Sequence, residues 1–282
     1  MRRWLSATIL SLLLIVTAPA LAQRRWETLP PTPTLPVPDT SGMAPVNGIR
    51  IFYATYGHGE PVVMIHGGLA NSAYWGFQIP VLARQYHVIV LDSRGHGRST
   101  RTSEPISYEL MASDVLALLD FLKVRRTSLI GWSDGAIIGL QIATHHPDRL
   151  ERLFAFAGNS DPSGTKKAIG SAAFAAYGRR VEQEYKALSP APDAFNRFRA
   201  DLSRMWASQP RFTARQLQGI AVPTWIVDGD HDEIIRRQDT DWIATQIPGS
   251  TELILRDVGH FAFLQDPAAF NEAVLRFLSA SR

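Results

Sequence analysis

The chain has 282 residues, 45% of them apolar and 20% charged, and its 29 basic and 26 acidic side chains leave a formal charge of +3. That length and apolar content supply a packed core for one large domain or two, while the mixed, nearly balanced charge argues against global disorder and against a nucleic-acid partner. Cysteine is absent, which excludes disulfides, thiolate metal sites and cysteine nucleophiles.

The first residues combine basic Arg2 and Arg3, an apolar run from Trp4 to Val16, a helix-breaking Pro19 and the small-x-small site Ala20-Leu21-Ala22. This pattern predicts a signal peptide over residues 1–22, cleaved before Gln23, and hence an exported protein, periplasmic or secreted. The run is shorter than the roughly 20 apolar residues that span a bilayer, so no stable membrane insertion is expected after cleavage. Five prolines between Pro30 and Pro38 then predict an extended linker over residues 23–42, a tether too rich in proline for a helix or a central strand.

From residue 43 to 282 the pattern is that of one α/β domain, with short apolar strands alternating with amphipathic helices around a mostly parallel, doubly wound sheet. Strands are predicted at Ile49 to Tyr56, Pro61 to Ile65, His87 to Leu91, Thr127 to Ile130, Leu153 to Ala157, Thr224 to Val227 and Thr251 to Leu255. Helical spacing covers Tyr108 to Leu122, Ala136 to His145 and Ala268 to Leu278. Residues 159–222 interrupt the alternation and are too long for a loop in a compact domain. Two helical stretches lie within them, one presenting Phe174, Tyr177, Val181 and Tyr185 and the other Phe195, Phe198, Leu202 and Met205. They predict an inserted helical cap whose aromatic stripes pack on the core, some of them also walling a site.

The strongest chemical signal is Gly131-Trp132-Ser133-Asp134-Gly135, set between an apolar strand and a helix. A nucleophile that must protrude from a tight strand-to-helix turn needs glycine two residues to either side, which makes Ser133 the candidate nucleophile. Serine needs a base in hydrogen-bond reach, and eight histidines compete for that role. The stretch Val227-Asp228-Gly229-Asp230-His231-Asp232 offers three aspartates behind one strand, and Asp161 follows the preceding core strand.

Four signatures in order, His66-Gly67-Gly68, Asp92-Ser93-Arg94-Gly95-His96-Gly97-Arg98-Ser99, the Ser133 elbow and the terminal aspartate and histidine segments, resemble the α/β-hydrolase superfamily from Gly48 to the C-terminus. The elbow is similar to that of biphenyl-hydrolase-like esterases. The resemblance implies His260 as base, since Val258-Gly259-His260-Phe261 follows the last strand, and leaves His66 and His96 to structural turns. Family spacing selects Asp232 as the acid over Asp228, Asp230 and Asp161, in the chain order serine, aspartate, histidine. The oxyanion donors it implies are the backbone N–H groups of Asp134 and Gly68, with Leu69 as the neighbour of the latter.

Asp134, Leu69 and Trp132 are the candidate substrate contacts. The Asp134 carboxylate answers simply to the positive end of a helix, or else attracts a substrate cation. A cap richer in basic than acidic residues instead favours anions, so the two cues leave substrate charge open. The expected reaction is hydrolysis of a small carboxylic ester through an acyl-serine intermediate, with no metal or organic cofactor. Lactone, amide or carbon-carbon cleavage and perhydrolysis use the same triad, and a non-catalytic ligand-binding member of the fold is the alternative of another class.

Overall fold

A computed structural model describes residues 24–280, so the leader expected at residues 1–22 lies outside the described residues. The apolar runs pair into a single eight-stranded sheet built from β1 (Thr40–Val46), β2 (Ile49–Tyr56), β3 (Glu60–Ile65), β4 (Tyr86–Leu91), β5 (Thr127–Trp132), β6 (Leu150–Phe156), β7 (Thr224–Gly229) and β8 (Thr251–Leu255). Their spatial order is β1-β2-β4-β3-β5-β6-β7-β8. Pairings from β4 to β8 are parallel, and β2 runs antiparallel to both β1 and β4. Val62, Val63, Met64 and Ile65 have no exposed surface and every residue of β5 is buried, because helices cover both faces of the sheet centre.

Nine α-helices follow in chain order among the described residues: α1 (Ile79–Leu82), α2 (Tyr108–Phe121), α3 (Asp134–His145), α4 (Ala172–Leu188), α5 (Phe195–Trp206), α6 (Ala214–Gln218), α7 (Arg237–Gln246), α8 (Ala262–Gln265) and α9 (Pro267–Ser279). After β3 the chain crosses to β4 on one side and then returns to β5 on the other, so a crevice opens beyond the carboxyl ends of these central strands. Between β6 and β7 lie α4, α5 and α6. Tyr177, Val181 and Tyr185 of α4 are buried, as are Phe195, Phe198, Leu202 and Met205 of α5, so the two predicted stripes form the inner faces of the insertion. The third helix, α6, was not expected, although Thr213 and Gln216 form a capping box at its start. No helix among the described residues is long and apolar enough to cross a membrane.

The proline-rich segment departs from the expectation of a free tether over 23–42. Thr40 to Val46 already belong to the sheet as edge strand β1, where a single Pro45 is tolerated. Upstream, the chain is extended but held down. The Trp26 ring stacks on His231 at 3.7 Å, Arg180 of α4 donates to the carbonyls of Leu29 and Pro30, and the Thr32 hydroxyl donates to Glu184. Polyproline backbone makes no internal hydrogen bonds, so its carbonyls are open to side chains of the domain.

The loop after β4 is fixed by a buried ion pair. Arg94 Nε and Nη2 meet the two Asp114 oxygens at 2.7 Å each, with side-chain exposures of 1% and 2%. Replacing Asp114 with alanine would strand an uncompensated guanidinium in the core. The expected cost is about 3–5 kcal/mol, a fall in Tm on the order of 10 °C by calorimetry.

Candidate active site

The β5 strand ends at Trp132 and α3 begins at Asp134, leaving Ser133 alone in the turn with φ 54° and ψ −117°. A side chain rarely adopts this left-handed region, and doing so lifts Ser133 out of the sheet toward the crevice. The glycines of the motif permit the turn. A Cβ on Gly131 would stand 2.3 Å from the Gly135 carbonyl oxygen, and one on Gly135 would stand 2.1 Å from that of Ile65. Ser133 opens into a cavity of about 360 Å³ that it shares with His260, and most of the wall is apolar.

His260 follows β8, and its Nδ1 lies 2.7 Å from Asp232 Oδ2 with both side chains almost wholly buried. The other Asp232 oxygen accepts from the backbone N–H groups of Ile234 and Ile235, each at 2.7 Å. Burial opposes ionisation of Asp232, yet the His260 charge and hydrogen bond, with the Ile235 N–H, hold its pKa below the ordinary carboxylate value. Burial likewise disfavours imidazolium, but Asp232 outweighs it, aided by Glu233 and Asp134, and the His260 pKa is raised. A proton held on Nδ1 by Asp232 leaves Nε2 as the acceptor.

Two residues that sequence reasoning missed set the height of this histidine. Glu233 accepts the His260 backbone N–H at 3.0 Å, and Gln265 accepts that of Gly259 at 2.7 Å while donating to the Thr28 carbonyl of the docked N-terminal segment. Adjacency of Glu233 to Asp232 was the only sequence signal for it.

The loop after β3 completes the site. The Asp134 N–H is the first of α3, one of those with no partner inside the helix, and Gly68 faces the elbow from the β3 side. A Cβ on Gly68 would stand 2.6 Å from Asp134 Oδ2 and 2.4 Å from the Trp206 ring, so only glycine fits. Tyr177 of α4 donates its hydroxyl to the Gly68 carbonyl at 2.6 Å, coupling the cap to this loop. His66 joins the loop to the one after β4: its Nε2 accepts the Ser93 N–H at 3.0 Å, and its Nδ1 lies 2.7 Å from the Gly67 carbonyl. Leu69, at φ 66°, and Trp132 both line the cavity; the Trp132 ring packs on His260 and Phe263. Among the cap aromatics, Phe174, Tyr177 and Trp206 reach the cavity, whereas Phe198 packs on His96.

The Asp134 carboxylate also lines the cavity, and both of its oxygens already have donors. Tyr108 donates to Oδ1 at 2.8 Å, and Trp206, the last residue of α5, donates to both oxygens at 3.0 and 3.1 Å. Burial, only partly offset by these bonds, raises its pKa to about 6. An acid whose folded pKa is raised contributes stability below its unfolded pKa and loses that contribution as pH rises through the folded value. The window is therefore about pH 4 to 6. Asp134→Asn keeps an oxygen for both donors, so its Tm relative to the wild type is expected to be roughly 5–10 °C higher at pH 8 than at pH 4.

The rival acids make no hydrogen bond to the His260 ring. Asp161 caps the turn at Ser163 and faces Arg211, and Asp230 sits exposed in the loop before Asp232. Asp228 is buried in β7 with the Thr240 hydroxyl on one oxygen. Of the basic residues in the cap, Lys166 alone lines the cavity.

Residues 62–273 match the model of the alpha/beta hydrolase family. The chain is 27% identical over 255 residues to 3-oxoadipate enol-lactonase 2 of Acinetobacter baylyi, covering 80% of this chain and 92% of that one. It is 26% identical over 252 residues to the human serine hydrolase BPHL, covering 85% and 86%, in keeping with the elbow resemblance. Among solved structures it is similar to Est816, described as an N-acyl homoserine lactone degrading enzyme, with a TM-score of 0.66 and 29% identity over 84% of this chain and all of that one. A family match running from β3 into α9, and a fold shared over most of both chains, establish that this chain belongs to the α/β-hydrolase family and is a hydrolase.

Proposed function

We propose that the chain cleaves a small carboxylic ester through an acyl-Ser133 intermediate, with His260 as base and Asp232 as its acid. The observation that carries this reading is the meeting of the strained Ser133 and the Asp232-paired His260 at one cavity. The Ser133 hydroxyl attacks the substrate carbonyl as its proton passes to His260 Nε2. The resulting oxyanion accepts from the N–H groups of Asp134 and Gly68. Collapse expels the alcohol with the proton from His260, and water, deprotonated by the same base, then releases the acid. The apolar wall, with Phe174, Trp132 and Leu69, favours an apolar or aromatic acyl group over a strongly hydrated one.

The enol-lactonase and acyl-homoserine-lactone relatives support a second reading in which the bond is a cyclic ester. The chemistry is unchanged except that the expelled alcohol stays tethered to the acyl group. Fluorophosphonate labelling of the purified protein tests both readings. A Ser133-dependent adduct is expected, and an adduct that persists in Ser133→Ala overturns them. Rates on matched p-nitrophenyl esters, lactones and aminoacyl esters then separate the substrate classes. The aminoacyl arm asks whether the Asp134 carboxylate, whose donors Tyr108 and Trp206 are uncharged, attracts a substrate ammonium. Such a preference is expected to vanish in Asp134→Asn. Export rests on the leader at residues 1–22, and finding Gln23 as the first residue of the mature protein checks it.

A further inference from the structure

Asp228 has no part in the reaction as written, yet it lies against the triad. It is 1% exposed near the end of β7, and the turn that follows closes with the Asp232 N–H donating to the Gly229 carbonyl at 3.1 Å. This folds Asp232 back, and the two carboxyl groups come within hydrogen-bonding reach of each other. Two carboxylates at that distance cannot both be ionised in a buried site, so the pair holds one proton.

The donors around each group decide where that proton resides. Asp232 receives two backbone N–H groups at 2.7 Å and the His260 ring. Asp228 receives the Gly229 N–H at 2.8 Å and the Thr240 hydroxyl of α7 at 2.9 Å, and among the described residues no cation pairs with it. The negative charge is therefore best solvated on Asp232, and the proton belongs to Asp228. We propose that Asp228 is a positioning residue of the triad, a carboxylic acid that donates a hydrogen bond to Asp232 and so limits how tightly Asp232 holds the His260 imidazolium.

Burial and then the Asp232 charge push Asp228 well above the ordinary carboxylate value, while Asp232 is held below it. The device answers a specific difficulty. His260 faces three acidic groups, Asp232, Glu233 and Asp134, each of which favours its protonated form, and a protonated imidazole accepts nothing from Ser133. A donor on Asp232 lowers the basicity of that carboxylate and allows His260 to shed its proton at a lower pH.

This inference rests on the reading of Asp232 and His260 as a catalytic pair, but its test does not need turnover. The His260 pKa is read by imidazole NMR titration in the wild type, Asp228→Asn and Asp228→Ala. The asparagine still donates to Asp232, so its His260 pKa is expected to match the wild type. The alanine does not, and a rise of about one unit is expected, the equivalent of one charge-assisted hydrogen bond. If Asp228 were ionised, both variants would lower the His260 pKa; that result, or no change in the alanine, overturns the proposal. Should the alanine fail to fold, infrared difference spectra of wild type against Asp228→Asn decide instead. A protonated-carboxyl band at neutral pH that is lost in the variant supports the proposal, and its absence from the wild type refutes it. Loss of the catalytic reading is recognised separately, as ester turnover that survives His260→Ala.

Discussion

Ser133→Ala is expected to lower kcat/KM on a p-nitrophenyl ester by about 10⁶ while leaving the fold intact. The reason lies in how the site divides its work. In the proposed reaction Ser133 supplies the nucleophile at the elbow, and the Asp134 and Gly68 N–H groups supply what remains when it is gone. That remainder sets the floor, roughly 10³–10⁴ above the uncatalysed rate. Ser133→Ala combined with His260→Ala is accordingly expected to be no slower than Ser133→Ala alone, because the hydroxyl and the imidazole act as one unit. Alanine sits at φ 54° as readily as serine, so Tm should be unchanged within a degree or two. Substantial turnover by the single variant would show that the nucleophile is another group.

Asp232→Asn is expected to cost about 10⁴ in kcat at pH 7. The geometry dictates how the amide sits. Asp232 Oδ1 accepts two backbone N–H groups, so the asparagine oxygen must take that place and its NH₂ must face His260 Nδ1. The imidazole is then forced to accept at Nδ1 and to carry its proton on Nε2, the position that should receive the proton of Ser133. Wild-type kcat/KM should rise with pH through the His260 pKa, which lies above the ordinary imidazole value because Asp232 stabilises the charged ring. That limb should move to lower pH in Asp232→Asn, since the variant removes the charge that raised it. A pH-rate profile for each protein checks both the size of the loss and the direction of the shift.

Much of this site was legible in the sequence because its parts are local. The glycine spacing around Ser133 encodes a turn that only those residues permit, and the apolar runs before it and after it encode a strand and a helix independently of the rest of the chain. The ends of β2 and β8 are those the apolar pattern predicts: β2 is mostly buried and so must be apolar, and edge strand β8 carries its half-buried and buried residues as the run Leu253 to Leu255. Helix α7 carries no such signal, because only Thr240 and Ile243 of it are buried and so polar a segment has little periodicity to read. Strand β1 was hidden for a related reason: an edge strand with one neighbour tolerates the Gly42 and Pro45 that argue against a strand elsewhere.

What sequence could not convey is pairing between distant segments. Tyr177 reads as a stripe residue at helical spacing, and only the folded cap brings its hydroxyl to the Gly68 carbonyl, 109 positions away. Asp134 reads as a helix-start carboxylate with room for a cation, until Tyr108 and Trp206 arrive from two other helices and occupy it. The proline-rich segment reads as a tether because its stiffness is local, whereas the side chains that hold it, Arg180, Glu184 and His231, belong to the cap and to the loop after β7. By itself, then, the sequence determined the strand-turn-helix frame and the nucleophile candidate, which depend on backbone sterics within a few residues. Family spacing could select Asp232, but the 2.7 Å contact it makes with His260, the donors that occupy Asp134 and the bonds that tie the cap to the core were decided only by tertiary structure, because a hydrogen bond depends on distance in space and not on separation along the chain.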